Sequence, residues 1–148
     1  MGEYASGVQR VRLAIDCEFN GKGGELISMA LVSEDGREFY EVVGLPEKLQ
    51  PWVRDNVVPV LMKEPIGFAE FQRRLVAFVS GTRAPEVIAD WPVDLAYFAN
   101  AVIVGEYPNC SAPMFKMQFL NIPGGASLVP HNALEDARGI ARVVFARG

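Results

Sequence analysis

The sequence has little of what several common kinds of site require. It contains two cysteines and one histidine in 148 residues, and Cys17 and Cys110 lie far apart with no metal-ligand spacing. This excludes a disulfide framework and a zinc site built from cysteine and histidine, and it favours two reduced thiols. No apolar run reaches the roughly 20 residues of a membrane span, and no secretory signal is visible. We therefore expect a cytoplasmic protein.

A basic excess is also missing. Fourteen lysines and arginines stand against 18 aspartates and glutamates, which gives a net charge of −4. This balance argues against a protein that binds nucleic acid mainly through a basic surface. It leaves open an enzyme in which divalent cations bring phosphate to an acidic site.

The composition that is present is that of an ordinary globular domain. Hydrophobic residues make up 50% and charged residues 22% of the chain, close to the averages for soluble domains. A chain of this length suits one domain with its own core. We expect a flexible leader at residues 1–9 and a single domain over residues 10–148.

The hydrophobic pattern predicts an α/β domain. A meander of three strands opens it, with a hairpin signal at Asp35-Gly36: Val11–Cys17, Leu26–Ser33 and Glu38–Val43. Helices and strands then alternate: a helix over Phe68–Ser80, a strand over Glu86–Ala89, a helix from Pro92 to about Val104, a strand over Phe115–Leu120 and a helix over Ala133–Ala146. The stretch Gly44–Pro65 is irregular. This order predicts a mixed sheet flanked by helices and is consistent with a ribonuclease-H-like architecture.

The first acidic motif is Asp16-Cys17-Glu18, at the end of the first strand. Residues two apart on a strand point to the same side, so Asp16 and Glu18 present two carboxylates together. At about 4 Å they repel by ~4 kcal/mol at an effective dielectric of 20. A metal ion would balance that charge better than Lys22 in the following glycine-rich turn. The alternative is an exposed strand end with two solvated acids.

The second acidic motif is Asp94, in the first turn of the helix that begins at Pro92. The helix dipole favours an acidic residue there, which is a structural explanation in its own right. Asp90, four residues earlier, could equally be a capping or turn residue.

The third motif runs from His131 to Asp136. Asn132 and Glu135 have the spacing of a capping box, which leaves His131 and Asp136 without a structural explanation. Both could reach the space above the helix start. His131 is the only histidine, so imidazole acid–base chemistry has no other candidate. The alternative is a surface histidine before a cap.

Taken in order, the three motifs resemble those of the DEDDh 3′–5′ exonucleases, a superfamily with a ribonuclease-H-like fold. The resemblance implies that Asp16, Glu18, Asp94 and Asp136 hold two Mg²⁺ or Mn²⁺ ions and that His131 is the general base. It also implies release of nucleoside 5′-monophosphates. The second motif departs from that of many relatives, which carry asparagine four residues before the aspartate, where this chain has Asp90.

Within this superfamily, the chain is similar to the small bacterial exoribonucleases of the RNase AS type, from about Arg12 to Arg142. The segments that carry the similarity are Asp16-Cys17-Glu18-Phe19, Glu25-Leu26-Ile27-Ser28, Asp35-Gly36-Arg37-Glu38-Phe39-Tyr40 and Pro51-Trp52-Val53-Arg54-Asp55-Asn56-Val57. This branch implies a single-stranded RNA 3′ end as substrate and a homodimer. A DNA-directed exonuclease of proofreading type, a catalytically silent nucleic-acid-binding domain and a hydrolase of free nucleotides stay open as alternatives.

Stacking is the expected means of holding the substrate in a chain without a basic excess. Base–aromatic stacking contributes ~1–3 kcal/mol per base. Phe19 is the candidate to stack on the terminal base, as the corresponding position does in relatives, and Trp91 is the second choice. The alternative for Phe19 is a place in the core.

Overall fold

The computed structural model describes residues 8–122 and 127–147. Over these residues the chain forms six strands: β1 (Val11–Phe19), β2 (Leu26–Ser33), β3 (Glu38–Val43), β4 (Pro65–Ile66), β5 (Pro85–Ala89) and β6 (Lys116–Phe119). It also forms four α-helices: α1 (Pro51–Asn56), α2 (Phe68–Ser80), α3 (Pro92–Ala101) and α4 (Ala133–Ala146). The predicted leader at residues 1–9 lies outside the described residues except for its last two positions.

The strands form one mixed sheet in the order β4-β3-β2-β1-β5-β6. β1, β2 and β3 pair antiparallel as a meander, while β4, β5 and β6 each join a neighbour in parallel. Parallel neighbours require a crossover, and α2 and α3 supply crossovers between strands. The predicted α/β class with a mixed sheet is confirmed.

The largest differences from the predicted element boundaries are in three places, while β5 begins one residue earlier and β6 is one residue shorter at each end. The first strand continues to Phe19, and the third helix ends at Ala101 rather than near Val104. Val104 leaves the helix because it exchanges two backbone hydrogen bonds of 2.9 Å with Ser111. The stretch Gly44–Pro65 is more ordered than its sequence indicated, since it contains α1 and a short 3-10 helix, Val58–Val60.

The two faces of the sheet pack against different helices. On one face, alternate residues of β1 such as Leu13 and Ile15 pack with Phe71 of α2 and Phe98 of α3. On the other face, small side chains allow α4 to lie close to β1 and β2: Ala14, Ala30, Ala137 and Ala141. Because side chains alternate along a strand, Asp16 and Glu18 continue the face of Ala14 and therefore point toward α4.

The end of β1 is open on one side. β1 pairs with β2 through Glu18↔Ser28, but in the described residues its pairing with β5 stops at Ala14↔Ile88. From Asp16 onward, the segment that leads into α3 lies beside β1 where β5 has ended. The carboxyl end of β1 is thus where the starts of α3 and α4 come together.

Two sequence expectations concern the rest of the chain. Cys17 and Cys110 are both free, the first buried and the second exposed. In the part of the chain that the structure describes, no helix has the length and apolar composition to cross a membrane.

Candidate active site

The first acidic group consists of Asp16, Glu18 and Asp136. One carboxylate oxygen of each lies within 4.8 Å of those of the other two. β1 contributes the first two from its α4-facing side, and Asp136 comes from the first turns of α4. The structure thus brings the Asp-x-Glu pair and the last motif together, as the sequence predicted.

The second acidic group consists of Asp16, Asp90 and Asp94, whose oxygens also lie within 4.8 Å of one another. The parallel register pairs Ala14 with Ile88, so β1 and the chain leaving β5 carry Asp16 and Asp90 to the same level. Asp94 is in the first turn of α3 and is only 2% exposed. Asp16 belongs to both groups and links them.

From the sequence, Asp90 could equally be a capping or turn residue, and in the structure it lies at a bend between β5 and α3. It makes no cap hydrogen bond to α3, whose N-cap residue is Trp91. Its place in the acidic group follows from the pairing of β1 with β5, two strands that begin 74 residues apart in the sequence, at Val11 and Pro85. The only signal in the sequence was the spacing of Asp90 and Asp94 by four residues.

Two carboxyl groups of the first group, those of Asp16 and Glu18, have a raised pKa. Burial, followed by the nearby Asp94 and Glu18 carboxylates, raises the pKa of Asp16 well above its ordinary value. Burial and the adjacent Asp136 carboxylate raise the pKa of Glu18 to about 8. One oxygen of Asp16, Oδ2, is buried and has no hydrogen-bond partner among the described residues. A buried acceptor of this kind is costly unless another group satisfies it.

The second group behaves in the same way. Burial, then the Asp90 carboxylate, raises the pKa of Asp94 to about 7, although a backbone hydrogen bond from Cys17 partly offsets the effect. Burial also raises the pKa of Asp90. Strongly shifted carboxyl groups beside a pocket are typical of functional sites.

The start of α4 is capped differently from the predicted capping box. Asn132 is the N-cap, and its Oδ1 accepts the Glu135 backbone N–H at 3.0 Å, as expected. The reciprocal bond is not formed, because the Asn132 N–H donates to the Val129 carbonyl and the Glu135 carboxylate accepts from Arg138 instead. The capping prediction is therefore correct for Asn132 and wrong for Glu135.

His131 has a backbone conformation that sequence patterns did not indicate. Its φ is +73°, in the left-handed region that costs most residues energy and in which histidine is nevertheless enriched. This conformation directs the His131 N–H to Asp136 Oδ2 at 3.2 Å. The His131 backbone N–H and the Asp136 carboxylate thus meet at the helix start.

A pocket of about 630 Å³ opens beside the acidic groups. Asp16, Glu18 and Asp94 form part of its wall, and the remaining lining includes aromatic and basic side chains: Phe19, Lys22, Trp52 and Trp91. Its two tryptophans are the only ones in the chain, and both are more than half exposed. Large exposed aromatics around a concave site are typical of ligand binding.

Phe19 packs against the core and also lines the pocket. It is half-buried, and its ring stacks on Tyr97 with centroids 4.7 Å apart. The Tyr97 hydroxyl in turn donates a hydrogen bond to the Gly24 carbonyl, which fixes the turn after β1. The two interpretations of Phe19, a core residue and a pocket residue, are therefore compatible.

Part of the chain is similar to known proteins. No family model matches the chain. Two proteins named 3′–5′ exoribonuclease, from two strains of Mycobacterium tuberculosis, are each 46% identical to it over 55 residues, which cover 34% of this chain and 33% of theirs. Over that segment the chain is similar to 3′–5′ exoribonucleases. The match spans about a third of the length of these relatives, so it supports relationship to the 3′–5′ exonucleases and no finer assignment.

Proposed function

We propose that the protein is a metal-dependent 3′–5′ exoribonuclease of the DEDDh class. It hydrolyses the last phosphodiester of a single-stranded RNA and releases a nucleoside 5′-monophosphate. The observation that carries this proposal is the pair of acidic groups joined at Asp16, beside a pocket lined with aromatic side chains. The sheet order and the similarity to exoribonucleases support it, and the order is consistent with a ribonuclease-H-like fold.

The donor set fits Mg²⁺ or Mn²⁺. Both acidic groups offer carboxylate oxygens alone, which such hard cations prefer. The unpartnered Oδ2 of Asp16 is an acceptor that a cation would satisfy. Asp16, Glu18, Asp94 and Asp136 would hold two ions, with Asp90 beside them. Two divalent cations, when bound, supply positive charge to the phosphoryl oxygens and make a hydroxide available near neutral pH.

His131 has the role of general base. Its imidazole takes a proton from the attacking water, whose oxygen forms a bond to the terminal phosphorus as the bond to the 3′ oxygen of the preceding nucleotide breaks. That 3′ oxygen leaves and takes up a proton from solvent, and the imidazolium returns its proton to solvent, so water and the phosphodiester become a 5′-monophosphate and a shortened strand. A positioned base of this kind contributes ~10²–10⁴-fold to the rate.

The pocket holds the terminal nucleotide. Phe19 and Trp91 offer aromatic surface to the base, and Lys22 offers a positive charge to phosphate. Stacking of this kind tolerates different bases. The preference for RNA over DNA depends on the similarity to exoribonucleases, and the homodimer and the cytoplasmic location remain predictions.

The experiment is a degradation assay on 5′-labelled RNA and DNA oligomers of one sequence, with Mg²⁺, Mn²⁺ or excess chelator. We expect a ladder that shortens from the 3′ end, faster for RNA, and no products in chelator. An oligomer blocked by a 3′-phosphate should be degraded more slowly. The Asp16→Asn variant, purified in parallel, should be inactive in every arm.

Two results would overturn parts of the proposal. Faster degradation of DNA would favour the proofreading type of exonuclease. Full activity in chelator, with Asp16→Asn inactive, would remove the metal from the mechanism. Equal activity of Asp16→Asn and the wild type would show that the site is not catalytic.

A further inference from the structure

Trp52 is in α1, within the stretch that the sequence left unassigned, and its indole meets the edge of the His131 imidazole. The two ring centroids are 4.8 Å apart and the planes are inclined at 81°. We propose that Trp52 is the positioning residue that sets the orientation of the His131 imidazole for proton transfer. This inference rests on the proposed function, because it takes His131 as the general base.

No hydrogen bond orients the imidazole among the described residues, so its ring contact is the specific interaction that can. The His131 backbone is held by its N–H bond to Asp136 Oδ2 and by its left-handed φ. In the part of the chain that the structure describes, however, the imidazole itself has a ring contact with Trp52 and no hydrogen bond. Edge-to-face contact is a preferred geometry for a pair of aromatic rings. Trp52 therefore selects among the side-chain rotamers that the His131 backbone leaves open.

Trp52 can perform this task only if its own helix is fixed. α1 is six residues long and is too short to be stable alone. It is held by burial of Val53 and of Val57, which follows it, against the sheet and Leu61. The start of α1 is also tied to the loop after β1, because the Gln50 N–H donates to Asn20 Oδ1 at 2.8 Å. The same Asn20 donates to the Lys48 carbonyl at 2.8 Å.

The other partner is fixed to the same segment, at the end that follows α1. Asn132, the residue after His131, is 3% exposed, and its Nδ2 donates to the Val60 carbonyl at 2.8 Å. The N-cap of α4 and the helix that carries Trp52 are thus joined to one stretch of backbone. The hydrogen bonds of two buried asparagines, Asn20 and Asn132, thus hold Trp52 and His131 close together. This distinguishes their contact from a chance contact between exposed side chains.

Trp91 is the matched control for Trp52. Trp52 is 54% exposed and Trp91 is 57% exposed, and both line the pocket. Trp52 has the ring contact with His131, whereas the described ring contacts of the chain include none for Trp91. Loss of either indole removes aromatic surface from the pocket, but only loss of Trp52 should change His131.

The first test does not depend on activity. His131 is the only histidine in the sequence, so its two carbon-bound ring protons give unambiguous NMR signals. Trp52→Ala should shift both signals, because the indole ring current is lost, and Trp52→Leu should do the same while it keeps apolar bulk on α1. Trp91→Ala should leave them in place. Unshifted His131 signals in folded Trp52→Ala and Trp52→Leu would overturn the inference.

The second test is a double-mutant cycle in kcat and KM, on an RNA oligomer that the wild type degrades. Trp52→Ala should lower kcat by roughly 10-fold or more with a smaller change in KM, since misplacement of a catalytic group by about 1 Å can cost ~10²-fold. In the His131→Ala background, Trp52→Ala should lower kcat no further. Trp52→Phe, which restores an aromatic ring, should recover most of the loss. Trp91→Ala should mainly raise KM, by the same factor in both backgrounds.

Each outcome has one meaning. Equal losses from Trp52→Ala with and without His131, or a change confined to KM, would show that Trp52 binds substrate without acting through the imidazole. A wild-type protein that releases no nucleotide would refute the proposed function, a result that the degradation assay reports before the cycle is begun. Tyr107→Ala, at a 90% exposed aromatic, controls for unspecific effects of aromatic loss.

Discussion

The first and second acidic groups share Asp16 but are built in different ways. The first combines two residues of one strand with Asp136, which reaches them from a helix more than a hundred residues later. The second combines Asp16 with two residues that follow the neighbouring parallel strand directly. The three residues of the first group are partly accessible, whereas Asp94 in the second is almost fully buried.

This difference bears on how each group tolerates its charge. Glu18 is shifted by burial and by Asp136, and Asp94 by burial and by Asp90, so each group contains a carboxyl group that titrates near neutrality. The first group adjoins His131, which is beside the helix start that supplies Asp136. If the proposed function is correct, we infer that the second group serves mainly to bind a cation. The first group also binds a cation and, in addition, lies next to the attacking water.

The largest expected effect is at Asp94. Asp94→Asn should remove nearly all turnover, because a neutral amide replaces one ligand of a shared cluster, while the fold survives. Asp90→Asn should lower activity less, by about 10–100-fold, the range found for residues that support a metal ligand. Activity on RNA and melting temperature should be measured for both. The reverse ranking would make Asp90 the ligand and Asp94 its support.

The next effect separates His131 from Glu135. His131→Ala should lower turnover by roughly 10²–10⁴-fold with Mn²⁺-induced stabilisation retained, because the carboxylates remain. Glu135→Ala should keep its activity per folded molecule, since the Glu135 side chain is engaged with Arg138. An active His131→Ala together with an inactive but stable Glu135→Ala would assign the catalytic role to Glu135.

The third expected effect is a dependence of the free energy of unfolding on pH, measured in excess chelator. The pKa of Glu18 is about 8 and that of Asp94 about 7 in the folded chain, compared with about 4 when unfolded. The folded state therefore binds more protons, so the free energy of unfolding should fall as pH rises from about 4 to about 8, by roughly a few kcal/mol.

Single substitutions show how much of this pH dependence comes from each acidic group. Glu18→Gln should remove the part of the slope that extends to pH 8, and Asp94→Asn the part that ends near pH 7. Saturating Mn²⁺ should raise the melting temperature most at the upper end of the range, because it binds the deprotonated native site. A stability curve that rises between pH 5 and 8 in chelator, or one indifferent to Mn²⁺, would contradict a preformed site.

The smallest effect tests how α4 is held at the first group. Asn132→Ala should destabilise the fold by about 0.5–2 kcal/mol, because it removes the cap, and by more if the bond to Val60 contributes. Glu135→Ala should cost only about 0.2–0.5 kcal/mol, the usual value of a helical ion pair. Urea denaturation measures both. Equal costs would mean that Glu135 takes part in the cap after all.

Local sequence patterns were sufficient to predict those features of the site that depend on a single strand or helix. Strand alternation placed Asp16 and Glu18 on one side, and the spacing from His131 to Asp136 placed both at one helix start. Asn132 was recognisable as a cap because an asparagine followed by an apolar helical pattern satisfies the first backbone N–H groups. The end of α3 was misplaced since Val104 forms a bridge with Ser111, a pairing that helical periodicity does not report.

Asp90, the φ of His131 and the position of Trp52 were decided by tertiary structure alone. Asp90 reaches Asp16 because β1 and β5 pair in parallel, and the register between strands some seventy residues apart is set by packing of the whole sheet. His131 is left-handed because its N–H meets Asp136 in the folded helix start. Trp52 meets His131 because Asn20 and Asn132 form hydrogen bonds to the two ends of one segment, at Gln50 and at Val60. Sequence by itself determined which side chains face the same way on one element, since that depends on backbone periodicity. Which elements meet depends on long-range burial and hydrogen bonding, which the folded chain alone brings about.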